Sequence, residues 1–263
     1  MILEKAFAKL MGNYAQLIGG WAERGVSQLT GFPSTSIRIE NETPEDIWEK
    51  LEGHDSISDI MTASSKYNST GHSNNDSNGI AFSHAYTILG TEEVELTDGS
   101  TQRLIKMRNP WERENYKGPF SDVSDDWARV TTDEQERIGL VKTKYDGVFY
   151  MTPESFKESF SYAAINYDLT SYHQNYWMRL NDQLTAEESP GSSYYCGKDC
   201  TSHKFIIKSE VAQKIYISAN LHETRSYPTD CKPAKNWTGI KYRFSKAQTY
   251  QTGMFEGTYN FPV

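Results

Sequence analysis

The sequence predicts an α+β part, an antiparallel sheet with helices, followed by an all-β sandwich. Three observations carry that prediction. Two helix signals precede the first strands. Two β-leaning runs are then joined by Asp98-Gly99, a hairpin-type turn pair. From Lys204 onward, strand-like runs alternate with turn residues, as in a sandwich. The boundary is expected near 168–175, which gives parts of residues 1–170 and 171–263.

Each element has a local reason. Ala6, Leu10, Tyr14, Leu17 and Ile18 recur at helical spacing, with Gly19-Gly20 as a stop, so one helix is expected to open the chain. Thr43-Pro44-Glu45-Asp46 reads as an N-cap, a proline in the first turn and acids at the positive helix end. Ile47, Trp48 and Leu51 form the buried stripe of that helix. Ile57 to Ala63 is a strand candidate, and the Ser- and Asn-rich run Ser64 to Gly79 reads as a flexible surface loop. Strands are expected over Ala81 to Leu89, Arg103 to Arg108 and Val148 to Met151. Short helices are expected over 133–142 and from the Thr152-Pro153 cap to about Tyr162. In the second part the strand runs are Lys204 to Lys208, Lys214 to Leu221, Lys241 to Phe244 and Thr258 to Phe261.

Composition narrows the functional classes. The 263 residues include 17 Tyr, 11 Phe and 6 Trp, so ring packing must fill much of the core. A net charge of -8 argues against a nucleic-acid binder, which needs a basic face for phosphates. An acidic surface suits Ca²⁺, a hard cation that takes carboxylate oxygens. No stretch approaches the roughly 18 apolar residues of a membrane span, and Met1 to Lys9 has no signal-peptide pattern. The three cysteines, Cys196, Cys200 and Cys231, do not make a disulfide framework, and a cytoplasmic location is expected.

Two segments can carry chemistry: Ser83-His84-Ala85-Tyr86 and Arg108-Asn109-Pro110-Trp111. Each sits at or near the end of an expected strand, and a hairpin joins the two strands. Antiparallel neighbours of this kind can bring His84 and Asn109 together. An Asn amide that orients a His, with an aromatic ring shielding both from water, is how a thiol protease holds its base. By themselves such residues are more often structural: a His on an apolar strand, and a turn with a packed ring.

Five blocks tie these segments to a family. Glu4-Lys5-Ala6-Phe7-Ala8-Lys9-Leu10, with Leu29-Thr30-Gly31 after it, resembles the opening of the second protease-core subdomain of calpains. His84-Ala85-Tyr86 is similar to the calpain His-Ala-Tyr, and Arg108-Asn109-Pro110-Trp111 to its Arg-Asn-Pro-Trp. Ser121-Asp122 with Trp127, then Asp146-Gly147-Val148-Phe149-Tyr150-Met151, follow in the family's order. The resemblance implies a papain-like half-core followed by a C2-like β-sandwich, which Tyr176-Trp177 and Gly257-Thr258-Tyr259 match more loosely. It implies His84 as general base, Asn109 as its orienting partner and Trp111 as the cover. Asp122 and Asp146 fall where the family has ligands of a Ca²⁺ site.

The departures matter as much. The calpain nucleophile lies in a first subdomain upstream of the Glu-Lys-Ala block, and here Glu4 is the fourth residue. Every Cys follows Asn109. Cys196 and Cys200 have only His203 close by, too few ligands for a zinc site. Ser83 and Glu112 replace the family's glycines beside the His and after the Asn-Pro-Trp. Asn115 and Val148 stand where carboxylates would complete the Ca²⁺ site, so no cofactor is expected. The expectation is a calpain-like cysteine endopeptidase homologue that is inactive alone, with other protein chains as partners. The alternatives are a non-catalytic scaffold subunit of a larger assembly, and half of a split protease completed by a Cys-bearing first subdomain.

Overall fold

The computed structural model describes residues 2–68, 74–113, 115–142 and 146–170, with the backbone of 245–248 and 251–254. The chain divides into two compact units: residues 19–174, and residues 1–18 with 175–263. The expected strands at 204–208, 214–221, 241–244 and 258–261 lie outside the described residues, as do Tyr176, Trp177, His203 and the three cysteines.

In the unit formed by 1–18 and 175–263, helix α1 spans Ile2–Leu10. It is shorter than the sequence predicts: Asn13 is fully extended (φ -163°, ψ 172°), and Tyr14–Leu17 is a separate 3₁₀ turn. Strands β7 (Ser245–Gln248) and β8 (Gln251–Met254) of this unit pair as an antiparallel hairpin.

The larger unit carries α2 (Ala22–Thr30), β1 (Ser34–Arg38), α3 (Pro44–Asp55), β2 (Ile60–Ser65), β3 (Ala85–Glu95), β4 (Thr101–Arg108), α4 (Thr132–Arg137), β5 (Val148–Met151), α5 (Pro153–Ser159) and β6 (Phe160–Asn166). Its six strands form one sheet in the order β1-β6-β2-β3-β4-β5, antiparallel at every pairing. The Thr43 cap forms as predicted. Its hydroxyl accepts the Asp46 N–H at 3.1 Å, and the Asp46 carboxylate accepts the Thr43 N–H at 3.0 Å and its hydroxyl proton at 2.6 Å. Ile47, Trp48 and Leu51 are buried.

Both faces of the sheet are covered. Leu104 and Ile105 are adjacent in sequence yet belong to opposite cores, as do Phe149 and Tyr150, because a strand's side chains alternate. That explains why Val148 to Met151 is an unbroken apolar run. One core packs Ile47, Leu51 and Phe156 of α3 and α5 against Met61, Tyr86, Ile105 and Phe149. The other gathers Val94, Leu104, Phe120, Trp127, Val130 and Tyr150. Trp127 meets Phe120 edge-on at 5.2 Å and Tyr150 at 5.4 Å.

Three expectations need correction. The helix expected to run to Tyr162 ends at Ser159, and Phe160–Asn166 is β6, flanked by β1 and β2. Its continuation Phe160 to Ile165 buries Phe160, Ala163, Ala164 and Ile165, and burial on both faces outweighs the helical spacing. The helix expected over 133–142 ends at Arg137. The run Ser64 to Gly79 is not loop throughout: Ser64 and Ser65 finish β2. Asn74 to Ile80 is tied down, since Asn78 O accepts the Lys117 N–H at 2.8 Å and Asp76 Oδ1 the Ile80 N–H at 2.8 Å.

Candidate active site

His84 stands one residue before β3, and Asn109 one residue after β4, so the hairpin sets them side by side at one end of the sheet. The backbone of His84 is clamped. Its N–H donates to Ser65 Oγ at 2.9 Å, and its carbonyl accepts the Ser65 N–H at 3.0 Å. The ring stacks on Trp111, with centroids 3.8 Å apart and planes at 28°. Tyr86 meets the same ring edge-on at 4.9 Å. Burial pushes the Tyr86 phenol up to about 12, so it remains a neutral wall of the site.

Asn109 is buried, and both ends of its amide are bonded. Oδ1 lies 2.9 Å from His84 Nε2 and accepts the Trp111 N–H at 3.1 Å, while Nδ2 donates to the Arg113 carbonyl at 2.9 Å. These partners fix the amide orientation, because the two sides demand an acceptor and a donor. An amide oxygen can only accept, so Nε2 must carry the proton of the neutral imidazole. The lone pair is then on Nδ1, which has no hydrogen-bond partner among the described residues. A base so arranged can take a proton from a thiol brought to Nδ1, and the imidazolium can stabilise the thiolate.

The backbone around the pair is unusual at two places. Ser83 (φ 51°) and Glu112 (φ 56°) both adopt the left-handed region, where a side chain costs energy. These are the two positions where the calpain pattern has glycine. A side chain at either position therefore adds backbone strain beside the pair.

The predicted residues divide into two groups. His84, Asn109 and Trp111 come together. Asp146 lies in the turn before β5, where its Oδ1 accepts the Val148 N–H at 2.8 Å, and Asp122 lies in the segment before the 3₁₀ turn Asp125–Arg129. Among the described residues, no three His, Cys, Asp or Glu side chains gather closely enough to hold a metal ion. Sequence reading missed Ser65 and the Arg113 carbonyl as parts of the site. Neither carries a signal, since one lies in a Ser-rich run and the other is a main-chain atom.

A helix-flanked antiparallel sheet with a His–Asn pair at a strand end is compatible with half of a papain-like core. The sequence pattern of the calpain family of cysteine proteases matches residues 1–167, and the chain belongs to that family. It is 35% identical to calpain-9 of Rattus norvegicus over 165 residues, 62% of this chain and 24% of that protein. A calpain of Schistosoma mansoni is 33% identical over 180 residues, 66% of this chain and 23% of the relative. Calpain-5 of Mus musculus is 30% identical over 223 residues, 77% of this chain and 34% of the relative. The chain thus spans about a quarter to a third of the length of these relatives. Among the described residues, no helix is long and apolar enough to cross a membrane.

Proposed function

We propose that this chain supplies the base half of a calpain-type cysteine protease site and has no peptidase activity by itself. The observation that carries the reading is the His84 Nε2 contact with Asn109 Oδ1 at 2.9 Å, which leaves Nδ1 as the available base. His84 would act as general base, Asn109 would orient it and Trp111 would keep water from the pair. What the sequence lacks is a thiol before Cys196, whereas the family pattern has its nucleophile upstream of the His. The reading calls for a Cys-bearing calpain first subdomain to bring the thiol to His84.

A scaffold role in a larger assembly is the second reading, and one observation favours it. Ser83 and Glu112 adopt left-handed backbone beside the His–Asn pair, where the calpain pattern has glycine, so both positions depart from that pattern at a steric cost. We read residues 171–263 as the C2-like β-sandwich. Support comes from the calpain-5 match, which at 223 residues runs past residue 167, and from the β7–β8 hairpin. Neutral Asn115 and Val148 take carboxylate places, which leaves Asp122 and Asp146 as a weak Ca²⁺ donor set.

The test is a peptidase assay of the purified chain, alone and mixed with a Cys-bearing calpain first subdomain. No cleavage alone, with cleavage in the mixture that His84→Ala abolishes, supports the base-half reading. Activity of the chain alone, lost on His84→Ala, overturns the claim of inactivity. No cleavage in a mixture shown to form a complex favours the scaffold.

A further inference from the structure

The turn before the edge strand β5 approaches the back of the Asn109 turn so closely that only a hydrogen fits between them. Gly147 has φ +73°, and a Cβ placed there would lie 2.5 Å from the Asn109 carbonyl oxygen and 3.1 Å from Glu112 Cα. Neither neighbour can give way freely. The Asn109 carbonyl accepts the Glu112 N–H at 3.1 Å, and the Asn109 N–H donates to the Gly147 carbonyl at 2.8 Å. One step earlier, Arg108 pairs with Val148 in the β4–β5 ladder. Asp146 Oδ1 closes the Gly147 turn by accepting the Val148 N–H at 2.8 Å. The Asn109-to-Glu112 turn carries both groups that hold His84: the Asn109 amide and the Trp111 ring.

We propose that Gly147 is a positioning residue that sets the Asn109 amide and the Trp111 ring against His84. It touches neither the imidazole nor any reacting atom in this arrangement, and acts by fixing where the turn sits. A methyl group at 147 must push the Asn109 carbonyl outward by several tenths of an ångström at least, which lengthens the 2.9 Å His84–Asn109 contact. The matter bears on mechanism because it rests on the reading of this pair as a protease base, where small displacements lower rates steeply. Asp146 gains a role by the same argument, as the closure of the Gly147 turn.

The experiment is nitrogen-15 NMR of the His84 side chain in the full chain, with chelator present. In the parent protein the Nε2 proton is expected to exchange slowly, and the ring protons to be shifted upfield by the stacked Trp111. Gly147→Ala is expected to speed exchange of that proton several-fold, up to about tenfold, as for loss of one ordinary hydrogen bond, and to remove part of the upfield shift. Val130→Ala, in the other core, controls for lost stability and is expected to leave both His84 signals in place. A folded Gly147→Ala protein with unchanged His84 signals overturns the proposal. Should Gly147→Ala not fold, Asp146→Ala decides, with a smaller change in the same direction expected and no change overturning it. Peptidase assays do not enter this readout. A chain whose His84 responds as expected, yet cleaves nothing with any Cys-bearing subdomain, would sink the protease reading alone.

Discussion

Trp111 lies nearly parallel to His84, with ring centroids 3.8 Å apart, yet it remains 63% exposed. It therefore covers one face of the imidazole while its own outer face meets solvent. A ring held this way contributes by shielding and stacking rather than by filling a core. Such pairs add about 0.5–1.5 kcal/mol beyond burial. Trp111→Ala is expected to lower unfolding stability by about 1 kcal/mol in a urea titration. The larger effect should be on His84: diethyl pyrocarbonate should modify it several-fold faster. An unchanged modification rate would mean that the ring shields nothing.

Asn109 is the most heavily used side chain of the site. Asn109→Ala strands the Trp111 N–H, the His84 Nε2–H and the Arg113 carbonyl together. Asn109 itself is buried but the three bonds are part-buried, so water reaches some of the freed groups. Chemical denaturation of the variant should therefore show a loss of about 1–2 kcal/mol, in the lower part of the range for unpaired polar groups. A loss below about 0.5 kcal/mol would show that water replaces the amide without penalty.

Left-handed residues other than glycine cost about 1–2 kcal/mol, against about 0.5–1 kcal/mol of extra chain entropy that a glycine loses on folding. Ser83→Gly and Glu112→Gly should each leave stability level or raise it by up to about 1 kcal/mol. The check is the denaturation midpoint of each single variant. A clear fall in either would mean that the side chain makes a contact worth more than the strain.

The cap of α3 supplies a pH signature. The Thr43 hydroxyl and then the Thr43 N–H, both donating to the Asp46 carboxylate, hold its pKa below the ordinary 3.8. A carboxyl lowered in the folded state stabilises the fold above its unfolded value, and that contribution fades as pH falls through the lowered one. Parent and Asp46→Asn proteins should thus differ most near neutral pH and converge as the solution is taken well below pH 4. A gap that stays constant down to strong acid would contradict this account.

Much of the larger unit was legible in the residues. Thr43-Pro44 announces α3 because a cap is a local hydrogen-bond pattern. Asp98-Gly99 announces the hairpin because only certain residues take its backbone angles, and Gly99 does so at φ 82°. That hairpin already places His84 near Asn109. By contrast β1 and β6, outside the hairpin, were not legible. Residues 160–166 follow a helix without a break and are read as strand only because β1 and β2 flank them.

His84, Asn109 and Trp111 as a set, and the order of the five calpain-like blocks, follow from the residues alone, since a motif needs only the right side chains at the right spacing. Which imidazole nitrogen bears the proton does not. It depends on an amide whose orientation is decided by Arg113 and Trp111 main-chain groups. The need for glycine at 147 is likewise a tertiary fact. It arises where a turn 38 positions downstream of Asn109 closes to contact distance, and no local propensity encodes that approach.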